Sequence, residues 1–118
     1  MTWPPPDYLE EAMRSFERDV LAQYPASALV DEKHFCEALG HIQGEFLAIH
    51  PFREGNARTI KLCTNILAEQ ADRPFLLFDE SEQGKTAYID AAKAGILKNY
   101  DPMTALIHEA LQRAIRQP

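Results

Sequence analysis

DEKHFCEALGHIQGEFLAI, residues 31–49, is the stretch that decides the fold. Its apolar residues alternate steps of four and three, which places them on one face of an α-helix; they are Phe35, Leu39, Ile42, Phe46 and Ile49. Asp31 stands where an N-cap is expected, because its side chain can accept a hydrogen bond from a backbone N–H of the first turn. The pattern therefore predicts a helix over residues 31–49.

The segment before this stretch predicts a first helix. WPPP, at residues 3–6, is a stiff extended lead-in, and proline suits the first turn of a helix. Four apolar residues then recur at three- and four-residue steps over about residues 6–23, namely Leu9, Met13, Phe16 and Val20. Tyr24-Pro25 ends the helix, because proline disfavours helical geometry in the residue before it.

The segment that follows residues 50–59 predicts a third helix that runs to about residue 71. Apolar residues surround much of its circumference, so we expect it to form the centre of the domain; they are Ile60, Cys63, Ile66 and Leu67. A fourth helix is predicted over about residues 81–94, with Gly95 interrupting the region that follows.

The remaining segments complete an all-α prediction. A final helix begins with Asp101 as N-cap and Pro102 in the first helical position. The apolar run at residues 75–78 is too short to distinguish a strand from a buried connection. No convincing set of alternating strands is present. We therefore expect residues 1–118 to form a single all-α domain of about five to six helices.

The composition is that of a soluble globular protein, with 46% hydrophobic and 25% charged residues. A net charge of −6 argues against broad electrostatic binding to nucleic acid or anionic lipid, so any anion site must be local. No apolar run approaches the roughly 20 residues of a membrane span, and the acidic N-terminal segment is unlike a signal peptide. We expect a cytoplasmic protein with no nucleic-acid or membrane partner, in which Cys36 and Cys63 are buried free thiols.

HPFREGNART, residues 50–59, joins the second and third helices and concentrates polar groups in one turn. The first N–H groups of a helix lack intrahelical partners, and the helix dipole adds partial positive charge there. Gly55 lets the backbone approach an anion closely, while Asn56 and Arg58 add an amide donor and a planar cationic fork. Lys61 adds a second cation on a neighbouring face. The turn therefore predicts a phosphate site at a helix N-terminus.

Two residues of this turn exceed what anion binding needs. Glu54 would repel a phosphate unless a divalent cation lies between them, and Mg²⁺ is typically held by one or two carboxylates plus substrate phosphates. His50 titrates near neutral pH and suits the role of general base for a hydroxyl nucleophile. Phosphate, metal and base are the parts of a phosphoryl or nucleotidyl transferase. The structural alternative is that His50 caps or packs against a helix end and that Gly55-Asn56 merely starts the next helix.

HPFREGNAR, residues 50–58, resembles the core motif of the Fic family, HPFx(D/E)GN(G/K)R, and only Ala57 departs from it. The similarity extends over nearly the whole chain: a WPPP-type segment and a helix precede the motif, and Tyr88-Ile89-Asp90-Ala91-Ala92 and a final helix follow it. The resemblance implies a helical Fic fold in which a central helix pair flanks the motif loop. It also implies a protein adenylyltransferase, which transfers AMP from ATP to a Tyr, Ser or Thr hydroxyl of a target protein.

By position, the resemblance assigns roles to the first half of the motif. His50 would deprotonate the target hydroxyl, and Glu54 would hold Mg²⁺ against the α- and β-phosphates of ATP. Pro51 would shape the turn, and Phe52 would point into the core and hold the loop in place. Tyr88 lies in the region that often borders the adenine in relatives, although an aromatic residue at this spacing is more often packing.

The resemblance assigns the phosphates to the second half. Gly55, Asn56 and the backbone of Ala57 would form the anion hole, and Arg58 would steady the β- and γ-phosphates. Ala57 replaces the usual glycine, so its methyl would crowd the α-phosphate or restrict the backbone; lysine at this place marks relatives that phosphorylate their targets. Lys61 replaces a second arginine that grips the γ-phosphate, and it keeps the charge without the bidentate fork.

Departures from the family pattern leave other functions open. Relatives usually carry an upstream β-hairpin flap on which the target docks by strand addition. Because the chain begins at Met1-Thr2-Trp3, almost no room is left for a flap, so either the chain is a trimmed core or its target docks differently. No (S/T)xxxE(G/N) inhibitory motif is found, so an inhibitor would be a separate, antitoxin-like protein. The alternatives are transfer of phosphate or another nucleotide, and a nucleotide-binding Fic-fold module with impaired turnover. A helix-turn-helix regulator ranks last, because no basic recognition helix is present.

Overall fold

The computed structural model describes residues 6–25, 27, 29–49 and 55–117, and its fold is all-α, as predicted. The described residues form five α-helices: α1 Pro6–Ser15, α2 Glu32–Ile49, α3 Asn56–Gln70, α4 Glu82–Ile96 and α5 Asp101–Ile115. The described residues contain no strand. The sequence features at residues 3–5 and 50–54 lie outside them. Among the described helices, none combines the length and apolar character that crossing a bilayer requires.

The first predicted helix has the expected extent but changes geometry along its length. α1 continues into a π-helical turn, Phe16–Val20, and then a 3₁₀ turn, Leu21–Gln23. The predicted apolar stripe faces inward at these turns, where Phe16 and Val20 are buried. The Phe16 ring meets the edge of Phe46 of α2 with the ring centroids 5.7 Å apart. This contact packs the N-terminal segment against α2.

α2, and not the third helix as predicted, is the centre of the fold. It contacts α3, α4, α5 and the π-helical turn, and its Leu39 and Ile42 are fully buried. α3 buries a single face, formed by Asn56, Ile60, Thr64 and Ala68. Its Leu62 is 63% exposed and its Ile66 49% exposed. The prediction was wrong because an apolar side chain on a helix does not require a partner: much of a protein's surface is apolar.

The two cysteines lie in different surroundings. Both are free thiols, as predicted. Cys36 on α2 is buried, and burial, with Glu32 nearby, raises the pKa of its thiol to about 11. Cys63 lies on the outer face of α3 and is exposed, so the prediction that it is buried was wrong for the same reason as the placement of α3.

Glycines on α2 allow the neighbouring helices to come close. A Cβ at Gly40 would meet the Thr104 hydroxyl of α5 and lie 3.0 Å from the Thr104 backbone nitrogen. One turn later, Gly44 faces Gly95 of α4, where a Cβ would lie 3.2 Å from the Gly44 Cα. Gly95 therefore serves helix packing. The prediction that Gly95 interrupts this region was wrong, because α4 continues through it to Ile96.

Gly40→Ala is expected to destabilise the protein by about 1–3 kcal/mol, because the added methyl overpacks a contact between two helix backbones. Urea unfolding followed by far-ultraviolet circular dichroism measures the change. Thr104→Ala in the same chain should recover only part of the loss, since the backbone of residue 104 stays in the way. A Gly40→Ala protein as stable as the wild type would contradict this account of the α2–α5 contact.

The segments that join α3, α4 and α5 settle two open points. Residues 75–78 form a connection and not a strand; the backbone N–H of Leu76 donates to Asn65 Oδ1 at 2.9 Å, and Leu76 is buried. α4 begins after Ser81, whose hydroxyl accepts from the Gly84 N–H at 3.2 Å. α5 includes Asp101, with Tyr100 in the cap position, so it begins one residue earlier than predicted.

Polar contacts hold the last turns of α2, which lead directly to the motif. The Glu45 carboxylate accepts hydrogen bonds from Lys98 Nζ at 2.9 Å and from the Tyr100 hydroxyl, both in the α4–α5 connection. Burial alone would raise the pKa of Glu45, but these donors more than offset it and lower the pKa. One turn earlier, His41 Nδ1 pairs with the Tyr24 hydroxyl at 2.8 Å. The end of α2 is therefore anchored on two sides.

Candidate functional site

Gly55 has a backbone conformation that glycine adopts readily. It lies directly before α3 with φ 80° and ψ 14°, in the left-handed region that favours glycine. Among the described residues, nothing lies within 4 Å of a Cβ built on Gly55. Its carbonyl accepts from the Thr59 N–H at 2.9 Å and begins the helix. Because Gly55 carries no side chain, a ligand can come close to the backbone at the start of α3.

The next three residues point in different directions around the first turn of α3. Asn56 is buried, Ala57 is half-buried, and Arg58 is exposed. Ala57 lies within the helix and has no positive φ. Alanine at this place was expected to restrict the backbone or to crowd the α-phosphate with its methyl. The ordinary φ of Ala57 removes the first effect, and the second stays a prediction.

A cavity of about 550 Å³ opens beside α3, a volume typical of small-molecule sites. It lies between α3, the connection that follows it, α4 and α5; its lining includes Ala57, Lys61, Phe78, Tyr88, Leu106 and Arg113. Aromatic and aliphatic groups thus share the wall with cations and with the carboxylates of Asp79, Glu80 and Glu109. The structure brings Ala57 and Lys61 together at this cavity, whereas Arg58 is not part of its lining.

Lys61 rests on aromatic rings in the cavity wall. Its ammonium nitrogen lies 4.2 Å from the ring centroid of Tyr88 and 4.6 Å from that of Phe78. The two rings meet edge to face, with centroids 5.8 Å apart. Burial lowers the pKa of Lys61, and the nearby Glu80 carboxylate opposes this shift. The contact is a cation–π interaction on two faces at once.

Gln43 is a residue of this region that the sequence reasoning missed. It is fully buried on α2; its carbonyl accepts from the Tyr88 hydroxyl at 2.5 Å, and its amide donates to Thr64 Oγ1 at 3.0 Å. It thereby joins α2 to both α3 and α4. A signal did exist, because Gln43 follows Leu39 by four residues and so puts an amide on the apolar face of its helix.

Five motif residues lie outside the described part of the chain: His50, Pro51, Phe52, Arg53 and Glu54. The roles predicted for His50 and Glu54, and the loop roles of Pro51 and Phe52, therefore stay predictions. Within the described residues, no group of three or more His, Cys, Asp or Glu side chains is placed to hold a metal ion.

A family model described as the Fic/DOC family matches residues 1–68, more than half of the chain. The chain belongs to the Fic/DOC family. No curated protein and no solved structure matches it. The match runs through the motif and most of α3, and it ends before the segments that supply Phe78, Tyr88 and Arg113 to the cavity. Membership in the Fic/DOC family indicates an enzyme of the nucleotidyl- or phosphoryl-transferase type.

Proposed function

We propose that this Fic/DOC protein transfers AMP from ATP to a Tyr, Ser or Thr hydroxyl of a target protein. The observation that carries the proposal is the placement of Gly55 and the cavity at one end of α3. The left-handed glycine opens the helix N-terminus to an anion, and the cavity beside Ala57 and Lys61 is large enough for a nucleotide.

The proposed reaction is an in-line displacement at the α-phosphorus of ATP. The target hydroxyl oxygen forms a bond to that phosphorus, His50 takes the hydroxyl proton, and the bond to the β-phosphate oxygen breaks. Pyrophosphate leaves, and AMP remains on the target. His50 is the group that this chain supplies to the step, whereas the phosphorus comes from ATP and the hydroxyl from the target.

The phosphates would lie against the first turns of α3. The amides of Gly55, Asn56 and Ala57 would receive the α-phosphate, and Arg58 and Lys61 would meet the more distant phosphates. Glu54 would hold Mg²⁺, for which a carboxylate oxygen is a suitable ligand; the ion, when bound, neutralises phosphate charge. A separate antitoxin-like protein would be the inhibitor of this site.

Two observations favour a second candidate, in which donor choice or turnover has changed. The Ala57 methyl lines the cavity, and the Lys61 ammonium already has two aromatic partners. A phosphate at Lys61 would meet a point charge on those rings and not the bidentate fork of an arginine. Transfer of phosphate or of another nucleotide, or nucleotide binding without turnover, would follow from such a change.

Parallel incubation with α-³²P-ATP and γ-³²P-ATP, in lysate with Mg²⁺, tests the proposal. Label on a protein from the α-position alone supports AMP transfer. Label from the γ-position alone would replace the proposal with phosphorylation. Absence of label from either donor, with ATP binding detected by calorimetry, would support the binding module.

Ala57→Gly is expected to raise the transfer rate by about tenfold, because a methyl forced against a ligand costs about 1–3 kcal/mol. The measurement is the initial rate of α-label incorporation. Ala87→Gly is the matched control, since Ala87 is also a half-buried helical alanine in the cavity wall. A rate that stays level or falls in Ala57→Gly would mean that the site is built around alanine.

A further inference from the structure

The contacts around Lys61 form a closed circuit that joins three helices. The Lys61 ammonium lies on the Tyr88 ring of α4. The Tyr88 hydroxyl donates to Gln43 of α2, and the Gln43 amide donates to Thr64 of α3. The Thr64 hydroxyl lies 3.0 Å from the carbonyl oxygen of Lys61 itself, and equally far from that of Ile60. The side chain and the backbone of Lys61 are therefore linked through the same chain of contacts.

The polar groups of this circuit are buried, and burial favours one arrangement of their hydrogen bonds. Gln43 and Thr64 are both fully buried, and Tyr88 is 8% exposed. A buried amide or hydroxyl without a partner is costly, so each of these groups favours the arrangement in which all are paired. Burial also raises the pKa of Tyr88, so its hydroxyl remains a donor at neutral pH.

The circuit bears on Lys61 because a lysine side chain is flexible. A free ammonium on four methylene groups samples many rotamers, and bringing it to a ligand costs conformational entropy. The Tyr88 ring, held by Gln43, and the half-buried Phe78 ring give the ammonium a defined place in the cavity wall. A ligand that enters the cavity therefore meets a cation whose position is already set.

We propose that Gln43, Thr64 and Tyr88 are positioning residues that hold the Lys61 ammonium at the cavity for the terminal phosphate of the nucleotide. This inference rests on the proposed function for the identity of the ligand. In this role the Tyr88 hydroxyl fixes the ring through Gln43, and the ring positions Lys61. The same ring also forms part of the cavity wall. The placement of Lys61 itself requires no nucleotide.

The first test measures Lys61 without any ligand. Protons on its ε-carbon lie near two ring faces, and ring currents shift their nuclear magnetic resonance signals away from those of an exposed lysine. Tyr88→Phe keeps the ring and removes the hydroxyl that Gln43 holds. We expect the Lys61 signals to move toward exposed-lysine values in Tyr88→Phe, and also in Thr64→Val, which keeps the side-chain shape and breaks the link on α3.

The second test measures the preference for ATP over ADP, as the ratio of their dissociation constants. Each positioning variant should lower this preference by about fivefold, the ratio of dissociation constants that corresponds to the free energy of one cation–π contact. Lys61→Met shows how much of the preference depends on the ammonium. Tyr100→Phe is the matched control, because it also deletes a tyrosine hydroxyl that donates within the protein, here to Glu45, outside the cavity lining. It should leave both readouts unchanged.

The outcomes separate the two proposals. Unchanged Lys61 signals and an unchanged preference in both variants, with lower stability alone, would overturn the positioning role. If Tyr88→Phe fails to fold, Thr64→Val decides by itself. Shifted signals in a protein that binds no ATP would retain the positioning of Lys61 and remove the nucleotide as its ligand. A Lys61→Met protein with the wild-type preference would overturn the terminal phosphate as the partner of Lys61.

Discussion

His50→Ala is expected to lower the rate of AMP transfer by about 10²- to 10⁴-fold, the usual contribution of a positioned general base. A target hydroxyl is a weak nucleophile while it keeps its proton, and the proposed site offers His50 to receive that proton. Alanine leaves the phosphate-binding groups of α3 in place, so ATP binding should change little. The measurement is the initial rate of α-label incorporation, paired with calorimetry of ATP.

A pH profile distinguishes loss of a base from general damage. The wild-type rate should fall at acid pH, where a histidine base is protonated, whereas the residual rate of His50→Ala should lack that dependence. His108→Ala is the matched control, because His108 is exposed on α5 and contacts Glu32 rather than the cavity. Wild-type labelling by His50→Ala would remove His50 from the mechanism.

Phe35→Ala is expected to destabilise the protein by about 3–5 kcal/mol. Phe35 is fully buried in the first turns of α2, within the cluster that includes Met103, Ile107 and Leu111 of α5. The substitution leaves a cavity in this cluster. It also removes the ring that faces the Arg73 guanidinium carbon at 4.9 Å. A loss of this size is a large part of the stability of an ordinary domain, about 5–15 kcal/mol.

Urea unfolding measures this loss, and the matched control is Phe75→Ala. Phe75 is 55% exposed in the connection before α4, so its truncation should change the free energy of unfolding by no more than about 0.5 kcal/mol. An unchanged dependence on urea concentration would show that the unfolded states remain comparable. Equal losses in the two variants would contradict the position of Phe35 in the core.

Helix bounds were the most predictable part of the fold. The predicted helix over residues 31–49 corresponds to Glu32–Ile49, and Asp31 accepts a hydrogen bond from the His34 N–H at 2.9 Å, as expected of a cap. Both features depend on neighbours within one turn. The centre of the fold was not predictable in the same way. It depends on which helix has partners on every side, and glycine positions such as Gly40 acquire meaning only beside Thr104.

In the candidate site, too, local features could be predicted from the sequence, whereas contacts between distant residues could not. Gly55 could be singled out because a residue without a side chain at the start of a helix is a local feature, whereas its left-handed φ of 80° is known only from the structure. Arg58 and Lys61 could be placed on neighbouring faces, but not assigned to solvent and cavity, because the cavity wall comes from α4 and α5. Gln43 was missed because its two partners are 21 and 45 residues away.

By itself, the sequence determined the all-α class, the extent of the helices, the motif and the Fic/DOC membership, because periodicity, caps and motifs are written in adjacent residues. Only the tertiary structure decided that α2 is the centre, that Cys63 is exposed and that Lys61 rests on two rings beside a cavity. Those properties depend on contacts between residues far apart in the chain, and on which of several apolar faces finds a partner.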